Sequence, residues 1–249
     1  MIKTSVILMS SLFWLTVGVA KENSEILVSA ASSLKDVFVE LGKEYEKNHP
    51  VKVVFNFAAS GQLKTQIETG APVDVFASAS PVDMDALSKK QLIVEDTRKD
   101  FAKNSLVLIQ NLSVKNTLKK ISELSSNTIP RISLGNPQTV PAGRYTKEFL
   151  DNEKVFDELK GKMIFGENVR QVLDYVQLGE VDAGFVFATD AFASKKVQIV
   201  FKVPSQKHSP IVYPIAVIKA SKHTQAAKDF AQFVNSETSR EVLKKYGFN

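Results

Sequence analysis

Phe57-Ala58-Ala59-Ser60-Gly61-Gln62-Leu63, continuing to Gly70-Ala71-Pro72-Val73-Asp74-Val75-Phe76, is one of two segments that decide the fold. The other is Gly135-Asn136-Pro137-Gln138-Thr139-Val140-Pro141-Ala142-Gly143-Arg144-Tyr145. Each places small residues where an apolar strand has ended and a helix is about to start. A helix start presents unpaired N–H groups and the positive end of the macrodipole, so it suits an anion. Two such sites in separate halves of one chain imply an anion clasped between two lobes.

Working outward, strands and helices alternate. Ile26-Leu27-Val28 reads as a strand, and Leu34, Val37, Phe38, Leu41 and Tyr45 follow at helical spacing. Ser33 with Asp36 has a capping-box pattern, which predicts a helix starting at Ser33. Val51, Val53, Phe55 and Phe57 alternate as a strand; a helix is expected over 61–69, stopped by Gly70. A strand at 73–76 and a helix opened by Pro81 come next. Further strands are expected at 106–110, 131–134, 183–187 and 211–218. Helices are expected at 118–124, from Pro141, over Val169–Val176, and at 224–235 and 236–246. This alternation is that of an α/β architecture. Asn104-Ser105 and the stretch from Pro204 to Pro210 lie beside strong strands and are the expected crossings between lobes.

The N-terminus has three parts of an export signal: Lys3, an apolar stretch from Val6 to Val19, and small residues Gly18-Val19-Ala20 before Lys21. The apolar stretch is shorter than the ~20 residues a membrane span needs. Export with cleavage near Ala20 is therefore expected. The chain has no cysteine, which excludes a disulfide framework, a thiolate nucleophile and cysteine metal ligands. It also predicts a mature protein without a lipid-modified cysteine, free in a periplasm.

The formal charge of +5 comes from scattered lysines, whose longest runs are pairs such as Lys119-Lys120 and Lys195-Lys196. No basic stripe interleaved with aromatics exists, so nucleic acid is not an expected partner. Catalytic candidates are few. His49, His208 and His223 lack orienting partners in sequence and read as surface residues. Asp83 and Asp85 resemble an acid pair but fall in a first helical turn, where acids favour the dipole. There is no phosphate-loop motif and no pair of adjacent tyrosines. No catalytic residue, metal ligand or cofactor is assigned.

Four loop-to-helix starts remain: Ser32-Ser33-Leu34, Ala59-Ser60-Gly61, Val140-Pro141-Ala142-Gly143 and Asn168-Val169-Arg170. In open α/β sheets ligands bind beyond the carboxyl ends of strands, where such starts converge. Hydrogen bonds to a charged group contribute about 1.5–3 kcal/mol each, so several can offset the desolvation of a dianion.

At these residues the chain resembles the periplasmic molybdate-binding proteins of ABC importers. The resemblance spans the mature chain and rests on Ala30-Ala31-Ser32-Ser33-Leu34, Ser60-Gly61-Gln62-Leu63, Gln66 to Ala79, Gly135-Asn136-Pro137, and Val140 to Tyr145. It rests also on Asn168 to Leu173, Gly184 to Ala191, and Tyr246-Gly247-Phe248. It implies a two-lobed (type II) binding protein, each lobe a mixed, mostly parallel sheet flanked by helices. The lobes would comprise residues 24–104 with 211–249, and 105–210, after a signal at 1–20. The implied ligand is molybdate and also tungstate. Contacts would fall on the hydroxyl and N–H of Ser33 and Ser60, and on the backbone N–H of Ala142 and Val169. The family commonly places a Tyr hydroxyl at the position of Phe187, so the resemblance implies a site that makes one bond fewer or admits another donor or a water. The implied partner is a membrane permease, with the protein a monomer. A sulfate or phosphate binder, or an exported enzyme on the same fold, are the rival readings.

Overall fold

The computed structural model describes residues 24–115 and 117–249. The expected export signal at 1–20 lies outside the described residues. The chain folds into two five-stranded sheets with helices on their faces. The first sheet takes β1 (Ser24–Ala31), β2 (Val51–Ala58), β3 (Val75–Ala77), β4 (Lys99–Lys103) and β10 (Val212–Val217), in the order β2-β1-β3-β10-β4. The second takes β5 (Leu106–Asn111), β6 (Ile132–Gly135), β7 (Met163–Gly166), β8 (Ala183–Phe187) and β9 (Val197–Lys202), in the order β7-β6-β8-β5-β9.

The two sheets share a plan that the sequence does not repeat. In each, four strands run one way and one runs against them: β10 is antiparallel to β3 and β4, and β5 to β8 and β9. The reversed strand is each time the first one after the chain crosses from the other sheet. The chain crosses between Lys103 and Leu106 and returns between Lys202 and Val212. The central strands are apolar on both faces because helices cover both. Ile26, Val28 and Ala30 of β1 are fully buried toward α1 (Lys35–Asn48), whose Val37, Phe38 and Leu41 meet Phe230 of α8 (Thr224–Val234). On the opposite face Leu63 and Ile67 of α2 (Ser60–Glu68) pack with Met84 and Leu87 of α3 (Pro81–Lys89) over Phe76.

In the second sheet Phe149 of α4 (Pro141–Asn152) packs its ring on Phe185, their centroids 6.1 Å apart. On the other face α6 (Val169–Gln177) lies so close to β8 that a Cβ on Gly184 would meet Val176 at 2.7 Å. Short helices α5 (Phe156–Leu159) and α7 (Ala188–Phe192), and α9 (Glu237–Lys245) near the C-terminus, complete the layers.

Two helical expectations are corrected. The segment expected as a helix at 118–124 is a single 3-10 stretch, Ile121–Ser125, within the long connection from β5 to β6, where the side chains of Gln110 and Glu123 take the N–H groups of Leu118 and Lys119. The helix expected to start at Ser33 begins two residues later. Ser32–Leu34 forms a 3-10 turn, α1 starts at Lys35, and Ser33 makes no capping bond. Its hydroxyl is engaged elsewhere.

The turn from β6 into α4 is close-packed. A Cβ on Gly143 would lie 1.9 Å from the Gly135 carbonyl oxygen. Gly143→Ala is therefore expected to destabilise the protein by at least the ~1–3 kcal/mol typical of overpacking. Circular-dichroism melting reads it; an unchanged melting temperature would contradict this close approach.

Candidate functional site

The helix starts singled out in the sequence converge. Ser33, Ser60, Ala142, Val169 and Phe187 all line one cavity between the two sheets, walled also by Ala31, Ala59, Ala79 and Pro141. Its volume is about 10 Å³, room for about one water-sized sphere. Among the described residues lining it none is ionisable, and the side-chain polar atoms are the hydroxyls of Ser32, Ser33 and Ser60.

Each start leaves donors free for a local reason. In α6 the Asn168 side chain accepts from the N–H of Arg170 and Gln171, at 3.0 and 3.1 Å, so it caps the turn but leaves Val169 N–H. In α4 the N1 residue is Pro141, which has no N–H, and the first backbone return is Arg144 N–H to Val140. Ala142 N–H precedes that return. In α2 the residue before the helix is Ala59, which has no side-chain acceptor, and Ser60 is fully buried at the first position. The Ser60 hydroxyl oxygen accepts from Ala79 N–H at 3.0 Å. The Ser33 hydroxyl lies 3.0 Å from the hydroxyl of Tyr213. Phe187 is buried at the end of β8, its ring centroid 5.9 Å from that of Tyr213 and 6.3 Å from that of Tyr145.

The sequence reading missed what holds the cleft shut. Gly61 N–H donates across the cleft to the Thr139 carbonyl at 2.9 Å. Arg144 of α4 pairs with Asp83 of α3. Arg170 of α6 pairs with Asp36 of α1 at 2.7 Å and with the buried Asp190 at 2.6 Å. Asp83 thus does more than favour a helix dipole. It is nearly buried, and burial raises its pKa against the pull of Arg144. Burial likewise pushes Asp190 up to about 6, although Arg170 opposes it. Both arginines stand outside the cavity wall and bridge elements of the two sheets. The signal that could have found them was present as Arg144 and Arg170 immediately following two of the helix starts.

Two lobes closed on a small, neutral, donor-lined cavity define a binding protein for a small anion. The comparisons with known proteins agree with that class. Residues 26–249 match the bacterial extracellular solute-binding protein family, and the chain belongs to it. The Bacillus subtilis protein YvgL, assigned as an ABC transporter substrate-binding lipoprotein, is 39% identical over 90% of this chain and 85% of its own. The molybdate-binding protein ModA of Haemophilus influenzae is 35% identical over 91% of each chain. The structure of the Azotobacter vinelandii periplasmic molybdate-binding protein is similar with a TM-score of 0.80, covering 90% of this chain and 98% of that one, at 23% identity. That last likeness shows the fold.

The cross-cleft contact at Gly61 yields a test. A Cβ there would lie 2.6 Å from the Thr139 carbonyl oxygen, yet the position is an ordinary helical one in which alanine is favoured. Gly61→Ala should leave the melting temperature of the free protein unchanged or higher while opening the cleft. Small-angle X-ray scattering should give a larger radius of gyration than for the parent chain in saturating oxyanion. Equal compaction of the two proteins would contradict the contact.

Proposed function

We propose that this protein binds molybdate, and tungstate with it, in the cavity between its lobes and delivers it to the permease of an ABC importer. The single observation that supports it best is the lining: donors gathered from four chain segments, with no ionisable side chain among the described residues there. A dianion without a proton satisfies donors and brings no donor of its own. The molybdate-binding relative at 35% identity supports the choice of metal oxyanion. The proposed lobes are residues 24–104 with 211–249, and 105–210, hinged at the two crossings. The protein acts as a binder rather than an enzyme, outside the cytoplasm after export to a periplasm, as a monomer. Among the described residues no group of three or more histidines and acids is placed to hold a metal cation, and no helix is long and apolar enough to cross a membrane.

The proposed contacts are the hydroxyl and N–H of Ser33 and Ser60, and the backbone N–H of Ala142 and Val169. Calorimetric titration with molybdate, tungstate, sulfate and phosphate tests the reading. One molybdate per chain should bind and raise the melting temperature, since a ligand of the folded state stabilises it. Ser33→Ala and Ser60→Ala should each weaken binding about ten-fold or more, corresponding to ~1.5–3 kcal/mol for a bond to a charged group. Ala142→Pro removes one N–H in a turn that tolerates proline and should weaken binding without unfolding. Binding of sulfate with no response to molybdate or tungstate would overturn the ligand.

Phe187 carries a separate prediction, because it both lines the cavity and packs on Tyr145 and Tyr213. Phe187→Tyr adds a hydroxyl where the cavity can receive it. Affinity for molybdate and tungstate should rise about ten- to a hundred-fold, the worth of one bond to a charged group. Weaker binding in a destabilised Phe187→Tyr protein would mean that the ring belongs to the core alone.

A further inference from the structure

Tyr213 lies on β10, fully buried, some 180 residues along the chain from the Ser33 it touches. Its hydroxyl has a second partner in Asn104, at the first crossing between the sheets. Asn104 Oδ1 accepts from Ser105 N–H at 2.9 Å, which fixes the amide orientation. Asn104 Nδ2 then presents two hydrogens, and both are used. One goes to Thr189 Oγ1 at 2.8 Å and the other to the Tyr213 hydroxyl at 3.2 Å.

The directions follow from donor counting. An amide nitrogen can only donate, so the Tyr213 oxygen accepts from Asn104. The Tyr213 hydrogen must then go to Ser33 Oγ, since a buried hydroxyl hydrogen left unpaired is costly. Ser33 Oγ, filled on that side, has its own hydrogen left for the cavity. At Ser60 the same polarity arises more simply, because Ala79 N–H donates to its oxygen. Burial raises the Tyr213 pKa well above the ordinary value, so this link stays protonated throughout the neutral range.

We propose that Asn104 and Tyr213 are positioning residues: they order the hydrogens so that Ser33 faces the cavity as a donor, and thereby exclude oxyanions that carry a proton. An oxyanion such as hydrogenphosphate brings an O–H that needs an acceptor, and a Ser33 oxygen already engaged by Tyr213 offers a poor one. The inference rests on the proposed oxyanion site and deepens it. It also links the ligand to the crossing, since Asn104 N–H donates to Ile211 at the second passage of the chain. Asn104 and Tyr213 therefore tie the two crossings to one wall of the cavity.

The test is the affinity ratio of molybdate to inorganic phosphate at pH 8, where phosphate is chiefly a dianion that keeps one hydrogen. The full chain, Tyr213→Phe and Asn104→Leu are compared by calorimetry, with the melting temperature of each free protein. The parent should prefer molybdate by at least about a hundred-fold. Tyr213→Phe frees the Ser33 oxygen to accept, so molybdate should weaken about ten-fold while phosphate holds or improves. The ratio should then fall by ten-fold or more. Asn104→Leu breaks the chain of hydrogens one bond earlier and should move the ratio the same way by a smaller factor; it carries the test if Tyr213→Phe fails to fold. A role in stability alone would lower both affinities together, and an unchanged ratio in folded variants overturns the proposal. If the parent binds sulfate and not molybdate, the metal assignment fails, and the same ratio taken with sulfate still decides the role of Tyr213.

Discussion

A hydrogen-bond donor closed into a dry cavity needs an acceptor, and this requirement connects the fold of the protein to its proposed activity. Leaving such a donor unmet costs about 1–3 kcal/mol. Beside three serines the cavity is walled by alanines, valines, a proline and Phe187, so the wall supplies few acceptors for the helix starts that end there. In an open cleft water can serve them. In the closed form an anion can serve several at once, which makes closure favourable when it is present. The paired sheets exist, in this sense, to bring donors from four distant segments to one point.

Charge is kept at a distance from that point. Arg144 and Arg170 each follow a helix start, yet both turn to aspartates and away from the cavity. Their pairs with Asp83 and Asp36 bridge the lobes. Asp83 and Arg144 are the more buried of these pairs, where breaking one partner leaves an uncompensated charge. The arrangement separates two tasks. In the proposed function neutral donors take the ligand, while ion pairs at the rim join elements of the two sheets. A salt bridge to the anion would bind charge of many shapes, whereas fixed neutral donors read both geometry and protonation.

Much of this was legible in the sequence because local chemistry specifies it. The central strands are apolar runs bounded by breakers, and the helix starts carry small residues after them. The strands left unread, β4, β7 and β9, are all sheet edges. An edge strand packs weakly and admits charge, as Lys99-Asp100-Phe101-Ala102-Lys103 does, so its pattern is faint. The roles of Ser33 and Gly61 were misread or half-read for a different reason. Ser33 followed by Asp36 satisfies a local capping rule, but its partner Tyr213 arrives from the far end of the chain. Gly61 looks like an ordinary residue of a first turn until Thr139 is placed against it. Long-range partners of this kind depend on the closed fold and leave no spacing to read.

The most direct measurement is the crystal structure of the protein soaked in tungstate, with the metal located by its anomalous signal. A single site is expected in the cavity, with its oxygens about 2.7–3.2 Å from the hydroxyls of Ser33 and Ser60 and from the N–H groups of Ala142 and Val169. Tungstate found only on the outer surface, with the cavity empty at saturating concentration, would contradict the account.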